Sequence, residues 1–382
     1  MREFKGYVFR LYPTKEQEIL INKTIGCSRF IYNHFLADKI EEYKETGKSK
    51  SAYDQMKTIP ELAKENPWLK EVDSCALRNS VKNLDNAYQN LFHNNCGFPR
   101  FKAKGIHDSY KTNNIKSTYN GKTYESIKLD LKNKIITLPK LKEVKIRGYR
   151  NKTAIFGDIK SAVVRKDAGK YYVSVLVEED IIRPAFNPKS IIGIDLGLKD
   201  LIVTSHNEKI KNTIKSREKR LKGLQKGLSR CKPGSKNRYK IKLKIQRLWK
   251  KIRNDRKYLI HDITNEILEE NDIIVIEDLD VKAMYQNHTI AKSLTNNPLS
   301  EIIRVLKYKA NWQNKKVIEI GRYYPSSQVC SVCNYQNKKV KDLSIRAWEC
   351  PVCHSEHNRD FNASVNIMFE GLKIYMKGLE QS

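Results

Sequence analysis

The first 115 residues show two hydrophobic periods, one typical of a strand and one typical of helices. The segment FKGYVFRLY near the start of the chain predicts a strand. A turn follows, and Thr14 with Gln17 forms a capping-box pattern that predicts the start of a helix. Apolar residues at helical spacing support this helix and a second one from about 74 to 92. They are Leu20, Cys27, Ile31 and Phe35 in the first helix, and Leu77, Val81, Leu84 and Tyr88 in the second. The stretch between the helices is polar and contains two prolines, so we predict a helical domain inserted after one strand.

From about residue 116 to 180 the pattern changes to short strands. The segments are SIKLD, KIITL, EVKIRG, SAVVRKD and GKYYVSVLVEED. In the last one, apolar residues alternate with others from Tyr171 to Val177, which is typical of a half-buried strand. Short strands at this spacing predict a small β-barrel, which the first strand of the chain could close. Residues 183–190 contain two prolines and predict a linker.

The second half of the chain alternates buried strands with helices. IIGID, with a hairpin partner after it, DIIVIEDLDV and KKVIEI each predict a strand. Between the first two, residues 211–257 predict a pair of helices separated by Pro233-Gly234, and further helices are predicted at about 299–313 and 361–377. Together with the first half, this pattern predicts an α+β multidomain protein.

The chain is strongly basic, since its 382 residues carry a net charge of +30. Residues 211–257 hold 20 Lys and Arg against two acids. Self-repulsion of this size destabilises a compact state, so we expect a polyanionic partner, with 20 Tyr and 11 Phe available for stacking. The alternative is a solvated basic surface without a function.

Two segments supply candidate nucleic-acid-binding residues. In 211–257 the candidates are Arg217, Lys219, Arg220, Lys240, Lys244, Arg247 and Lys251. In GFPRFKAKG they are Arg100 and Lys102, beside Phe98 and Phe101, which either stack on bases or form the edge of an aromatic core. No apolar run approaches the ~18 residues of a membrane span, so we expect a cytoplasmic protein with no membrane partner.

Four of the eight cysteines form two Cys-x-x-Cys pairs near the end of the chain. Cys330 and Cys333 are separated by sixteen residues from Cys350 and Cys353. Two such turns supply the four tetrahedral thiolates that one structural Zn²⁺ prefers, and a reducing cytosol favours metal-bound thiols over disulfides. The alternative ligands nearby are His354 and His357. The four remaining cysteines are expected to be small buried hydrophobic residues.

Three acids stand where an acid is unusual. Asp195 ends the run IIGI, Glu277 ends the run IIVI, and Asp360 lies at the predicted start of the last helix. Buried carboxylates are usually paired or metal-bound, and two strands that each end in an acid bring the pair together if they are neighbours. Three converging carboxylates repel one another unless divalent cations are present. Mg²⁺ takes oxygen ligands, and two such ions about 4 Å apart activate water for phosphodiester hydrolysis.

Each acid also has a simpler interpretation. Asp195 could begin the turn before Gly197, Glu277 could pair with a lysine, and Asp360 could merely cap its helix.

The chain resembles the TnpB family, the OrfB-type proteins of bacterial insertion sequences, nearly from end to end. The matching blocks are FRLYPTKEQ with CSRFIYN, GFPRFKAK, IIGIDLGLKD, IVIEDLDV, YKANW, YYPSSQVCSVC and WECPVCHSEHNRDFNASVNI. The resemblance implies an RNase H-like RuvC nuclease related to type V CRISPR effectors. It also implies a guide RNA from the element's own end and a double-stranded DNA target beside a short adjacent motif. By motif position Asp195, Glu277 and Asp360 match the family's catalytic acids, and the four cysteines match its zinc ligands.

The resemblance also implies a domain organisation. The expected parts are a discontinuous, wedge-like β-barrel domain (1–13 and 116–182), a helical recognition domain (14–115), a RuvC nuclease domain (183–329 and 354–382) and a zinc ribbon (330–353). The sequence departs from the family pattern at Asn358, where an acid is usual, and at Asn334, where glycine is usual. Neither change removes a matched acid, whereas relatives that repress without cutting typically lose one.

Three functions are compatible with these features. The favoured hypothesis is an RNA-guided DNA endonuclease that holds a guide–target heteroduplex by its backbone. The second is a guide-dependent DNA-binding regulator without cleavage, against which the three intact acids argue. The third is a compact CRISPR-type effector or an unguided RNase H-like transposase. The sequence has no His-hydrophobic-His motif of the tyrosine-transposase kind.

Overall fold

The computed structural model describes most of the chain in two compact units, Met1–Ile181 and Ile182–Ser382. The described residues are 2–119, 122–148, 155–180, 183–214, 217–286, 291, 294, 297–342 and 344–380. Within these ranges, every helix is too short or too polar to cross a membrane.

The N-terminal unit is built on a seven-stranded antiparallel sheet. Its strands and a separate hairpin are β1 (Arg2–Tyr12), β2 (Ser109–Asn113), β3 (Lys116–Tyr119), β4 (Lys122–Glu125), β5 (Lys128–Asp130), β6 (Ile135–Leu138), β7 (Lys142–Arg147), β8 (Asp158–Asp167) and β9 (Lys170–Asp180). The order is β2-β8-β9-β1-β7-β6-β5, and β3 pairs only with β4 in the described chain. The first strand, β1, pairs with both β9 and β7 and joins the two halves of the sheet, while its closing of a barrel stays a prediction.

The two ends of this sheet approach each other just outside the strands. The backbone N–H of Ser126 donates to the carbonyl of Ile115 at 3.0 Å, and that of Ile127 donates to Asn114 Oδ1 at 2.9 Å. These bonds link the end of β2 to the start of β5, while a fully closed barrel stays a prediction. Strand β2 lies in the segment predicted as helical. It forms a strand because Tyr110 and Thr112 alternate into the core.

The unit has three α-helices, α1 (Lys15–Thr46), α2 (Ala52–Glu65) and α3 (Ser74–His93). Helices α1 and α3 pack on the sheet, and α2 packs against α3. The predicted capping box is confirmed, since Thr14 and Gln17 each accept the other's backbone N–H through their side chains. Helix α2 is absent from the sequence prediction because Pro60 lies inside it. Its buried Ile59 and Ala63 pack in the helical core, and this packing outweighs the proline.

The C-terminal unit contains a mixed five-stranded sheet of order β12-β11-β10-β13-β14. Its strands are β10 (Ile191–Asp195), β11 (Ile202–Thr204), β12 (Lys209–Ile210), β13 (Ile273–Glu277) and β14 (Lys316–Ile320). The helices are α4 (Glu218–Ser229), α5 (Lys236–Glu270), α6 (Val281–Gln286), α7 (Leu299–Trp312) and α8 (Arg359–Glu380), and a small hairpin comprises β15 (Ala347–Glu349) and β16 (Glu356–Asn358). The predicted helix pair of 211–257 is confirmed, although its second member, α5, extends to Glu270.

Helix α8 lies unusually close to the central strands, because glycine occurs at both points of contact. A Cβ atom on Gly193 of β10 would lie 2.1 Å from the carbonyl oxygen of Ser364, and one on Gly371 would lie 2.3 Å from a methyl group of Val275 in β13. Larger residues at either glycine would push the helix away from the sheet. This packing fixes the start of α8 relative to the ends of β10 and β13.

Candidate functional site

Asp195 and Glu277 end two neighbouring strands. Strands β10 and β13 are parallel and pair in register from Ile191 with Ile273 to Ile194 with Ile276. The next residue on each strand is one of the two acids, and the carboxyl ends of parallel strands meet at one edge of a sheet. The structure therefore brings these two predicted residues together.

Asp360 lies in the first turn of α8, the helix that packs on these strands. The interpretation that Asp360 only caps this helix is wrong. The residue that caps is Asn358, whose side-chain oxygen accepts the backbone N–H of Phe361 at 3.2 Å. The family departure at Asn358 thus has a local role, and the Asp360 carboxylate is left for other contacts.

The three carboxylates interact electrostatically. Burial and, to a smaller extent, the charges of Glu277 and Asp360 together raise the pKa of Asp195 to about 8, against opposing effects of Arg359 and Arg346. Burial also raises the pKa of Glu277, partly offset by a hydrogen bond that the Ser326 hydroxyl donates to it. Within the described residues, the side-chain partner of Glu277 is this serine and not a lysine, contrary to the simpler interpretation of Glu277.

Asp360 has a basic neighbour. The guanidinium of Arg346 donates to both carboxylate oxygens of Asp360, at 3.3 and 3.4 Å. Both distances are long for charge-assisted hydrogen bonds, which are typically about 2.7–2.9 Å. The contact is therefore weak enough for a stronger partner of the carboxylate to replace it.

The four cysteines form a much tighter cluster. Their sulfur atoms all lie within 4.8 Å of one another, and within the described residues this is the one group of three or more potential ligands that is so close. The sulfurs of Cys330 and Cys353 are 3.6 Å apart, and those of Cys333 and Cys350 are 3.5 Å apart. Zn–S bonds of ~2.3 Å in a tetrahedron place sulfurs ~3.8 Å apart, so the cluster fits one structural zinc ion.

The turns that carry the thiols explain two further sequence features. Asn334 adopts a left-handed conformation with φ 63°, which accounts for glycine being usual there, and asparagine tolerates it better than most residues. His354 has φ 59°, and its ring contacts Glu349 instead of a sulfur. His357 is buried, with Nε2 3.1 Å from the sulfur of Cys330. The histidine is therefore placed to donate a hydrogen bond to this thiolate without being one of the four ligands.

The thiol cluster is joined directly to the start of α8. In the hairpin β15–β16, Ala347 pairs with Asn358, and the backbone N–H of Arg359 donates to the carbonyl of Arg346 at 2.8 Å. The cysteine-bearing hairpin therefore positions both Asn358, which caps α8, and Arg346, which contacts Asp360.

Sequence reasoning missed the polar residues that support the site. Ser326 and Arg346 contact the acids, while two buried asparagines of α8, Asn362 and Asn366, donate to the carbonyl of Val329 at 2.7 and 2.6 Å. Of these residues, only the asparagines could have been noticed in the sequence. Amides on the apolar face of a predicted helix are unusual unless they have hydrogen-bond partners.

The basic candidates divide into exposed and paired residues. The exposed ones are Lys219, Arg220, Lys240, Lys244, Arg247, Lys251, Arg100 and Lys102. Arg217 instead forms an ion pair with Asp255 at 2.7 Å, and Lys102 is also paired, because its ammonium lies 3.9 Å above the ring of Tyr32. Phe98 and Phe101 are 54% and 56% exposed. The Phe98 ring also packs edge-on against Tyr88 with ring centroids 5.7 Å apart, so it lies at the edge of an aromatic cluster while much of its surface stays accessible.

Comparison with known proteins identifies the class of protein to which this fold and these clusters belong. Family models match at three places: the probable transposase OrfB_IS605 at residues 172–288, the Cas12f1-like TNB domain at 300–367, and the OrfB_IS605 helix-turn-helix domain at 1–48. In shape, the chain matches the protein of a Cas12f1–sgRNA–target DNA complex with a TM-score of 0.57 over 96% of this chain and 99% of that one. At 13% identity, this likeness shows the fold alone.

Two relatives match over nearly their whole length. The chain is 32% identical to InsQ of Escherichia coli K12, covering 97% of this chain and 93% of the relative, and 31% identical to a protein of Streptomyces pristinaespiralis, covering 96% and 89%. Both carry the name "Putative RNA-guided DNA endonuclease". The chain therefore belongs to the TnpB-like, OrfB_IS605 family, which confirms the resemblance seen in the sequence.

Proposed function

We propose that this protein is an RNA-guided DNA endonuclease of a transposable element, with Asp195, Glu277 and Asp360 as its catalytic acids. One observation carries the proposal: Asp195 and Glu277 end neighbouring parallel strands, and the charges of Glu277 and of Asp360, on the helix packed against those strands, both raise the pKa of Asp195. Perturbed carboxylates that share one edge of a sheet are typical of functional sites. The names of the two relatives that match over nearly their whole length support guided DNA cleavage as the activity.

The donor set fits magnesium. All the candidate ligands are carboxylate oxygens, which Mg²⁺ prefers, and their mutual repulsion is relieved by divalent cations. When bound, two Mg²⁺ ions supply an activated water and stabilise the leaving oxygen of a phosphodiester. Ser326 fixes the orientation of the Glu277 carboxylate through its hydrogen bond, and Arg346 supplies positive charge beside Asp360.

The remaining parts of the proposal follow the family. The guide is RNA from the element's own end, the target is double-stranded DNA next to a short adjacent motif, and one zinc ion occupies the four cysteines. The exposed cations of α4 and α5, such as Lys219, Lys244 and Lys251, bind nucleic-acid backbone. We propose that these reactions take place in the cytoplasm.

Reconstitution tests the proposal. RNA that copurifies with the full-length protein is sequenced and resynthesised, and the complex is incubated with Mg²⁺ and plasmids that carry or lack a matching target beside a randomised flank. Guided cutting of the matched plasmid alone is expected. Guided binding without cutting would instead establish the regulator, and cutting without RNA would establish an unguided nuclease.

A further inference from the structure

A cavity of about 220 Å³ lies within the N-terminal unit, between α1, α3 and β2. Its apolar surface comes from Ile25, Tyr110 and Val163. Pockets for drug-sized ligands are typically 300–1,000 Å³, so this cavity is too small for a base pair. Its size suits one nucleoside or a smaller group.

Ser28 of α1 gives the clearest sign that the cavity binds something. This residue lines the cavity and is only 4% exposed, yet its hydroxyl has no hydrogen-bond partner within the described chain. Buried hydroxyls in helices usually donate to the carbonyl four residues earlier, as Ser80 and Thr24 do here. A buried hydroxyl without a partner is unfavourable, and a ligand group that both donates and accepts would satisfy it.

The charges around the cavity suit a phosphate. Three basic residues line it, Arg29, Lys102 and Lys111, against one acid, Asp108. The Asp108 carboxylate accepts from the guanidinium of Arg29 at 3.4 Å and from the backbone N–H of Gly105 at 3.0 Å. The acid is therefore held within the protein, and the cavity as a whole stays positive.

The wall of the cavity includes part of the GFPRFKAKG motif, for which the proposed function gives no role. The side chain of Asn33 in α1 bonds both the backbone N–H and the carbonyl of Lys102, at 2.8 and 3.0 Å. This loop is thereby fixed to α1, and it carries the exposed rings of Phe98 and Phe101. Exposed aromatic rings on a fixed, basic loop form a stacking platform for unpaired bases.

We propose that this cavity binds one unpaired ribonucleotide of the RNA partner, an inference that rests on the proposed function. The 2′-hydroxyl both donates and accepts, as Ser28 requires, whereas deoxyribose would leave Ser28 without a partner. The apolar surface contacts the base, and Lys111 contacts the phosphate. The nucleotide must be extruded from any helix, because the cavity has no room for its pairing partner.

The test uses the full-length protein and the resynthesised RNA that copurifies with it. Footprinting of 2′-hydroxyl reactivity in the wild-type complex is compared with that of Ser28→Ala, which removes the hydroxyl without adding volume. One unpaired nucleotide is expected to be protected in the wild type and reactive in the variant, with RNA affinity reduced about 3- to 10-fold. Lys111→Gln should lower the slope of log K against log salt by about 0.7, whereas Lys128→Gln on the exposed side of β5 serves as the matched control.

A single 2′-deoxy substitution at the protected nucleotide completes the test. If Ser28 contacts that hydroxyl, the deoxy substitution and Ser28→Ala each weaken binding, and the two together weaken it no further. Additive effects, or an unchanged footprint in both variants with normal melting, would overturn the inference while leaving guided cleavage intact. If no RNA copurifies, the proposed function fails and the inference fails with it. If Ser28→Ala weakens the binding of a DNA strand of the same sequence by the same factor, the site does not distinguish ribose from deoxyribose, and the inference is wrong.

Discussion

The thiol cluster and the carboxylate cluster are linked by one short hairpin, β15–β16, yet they are built in different ways. The four sulfurs lie within 4.8 Å of one another, whereas the three carboxylates do not meet this distance as a set. The thiols come from two tight turns close in sequence. The acids come from β10, β13 and α8, and only the fold brings them together.

This difference is the one expected between a structural zinc site and the catalytic site that we propose. A closed tetrahedral set leaves no open position for a substrate. The acids form an open, repulsive set in which Asp195 has a pKa raised to about 8. The thiol cluster also holds the hairpin from which Arg346 and Asn358 act on the start of α8. The thiol cluster therefore positions residues at the start of α8, the helix that carries Asp360.

The largest expected effect comes from Asp195→Asn. Cleavage of the guided target in Mg²⁺ should fall at least 10³-fold, because an amide is a poor ligand for a hard divalent cation. Guided binding, measured by gel shift, should stay within 3-fold, because base pairing does not involve this residue. Glu277→Gln should behave in the same way. Normal cutting by either variant would remove that acid from the site.

The same substitution is expected to stabilise the protein when divalent cations are removed. The folded-state pKa of Asp195 lies near 8, above its ordinary value of 3.8. The native state therefore holds a proton that the unfolded state loses, so this group makes stability fall as pH rises from about 4 to 8. In EDTA at pH 7, Asp195→Asn should melt roughly 2–4 °C higher than the wild type, measured by calorimetry. A lower melting temperature would contradict the buried, repulsive arrangement.

A pair of substitutions separates the roles of the two polar residues at the start of α8. Asp360→Asn should abolish cleavage with near-normal melting, because Asp360 does not cap the helix. Asn358→Ala removes the cap that Phe361 N–H uses, so it should cost about 1 kcal/mol of stability. Its folded fraction should still cut. Asp360→Asn should therefore lose cleavage and keep its stability, whereas Asn358→Ala should lose stability and keep cleavage. The reverse result would make Asp360 the cap and Asn358 the ligand.

The acids and cysteines could be predicted because each signal is local. An acid that ends an apolar strand and two Cys-x-x-Cys turns are visible within about ten residues. The parallel pairing of β10 with β13 then follows from the helices between them. The capping box at Thr14 is equally local.

The missed features depend on distant contacts. Ser326 approaches Glu277 across 49 residues, and Arg346 reaches Asp360 only because the hairpin β15–β16 folds back. The cap at Asn358 required knowing that α8 begins at Arg359, two residues before the predicted start. Helix α2 was missed because burial of its apolar face offset a proline, and burial is a property of the folded chain.

Removal of the zinc should have an intermediate effect. Cys333→Ser takes one thiolate from the set, so zinc content by atomic emission should fall from about one equivalent. Because the hairpin carries both Arg346 and the cap of α8, cleavage should fall about 10- to 100-fold, less than for Asp195→Asn. Cys231→Ser, whose thiol donates to the carbonyl of Gly227 outside the thiol cluster, is the control and should keep both zinc and cleavage. Loss of zinc with full cleavage would show that the two clusters are independent.

The smallest effect should come from His357, which lies beside the thiols without belonging to their set. Its ring contacts the Cys330 sulfur at 3.1 Å and packs on Trp348 with ring centres 4.6 Å apart. His357→Phe keeps the packing and removes the donor, so zinc affinity measured by chelator competition should fall about 10- to 100-fold while the metal stays bound at saturation. His354→Asn is the matched control, because that ring contacts Glu349 instead of a sulfur and asparagine tolerates its left-handed backbone. Complete loss of zinc in His357→Phe would make the histidine a ligand and the site no longer a four-thiolate one.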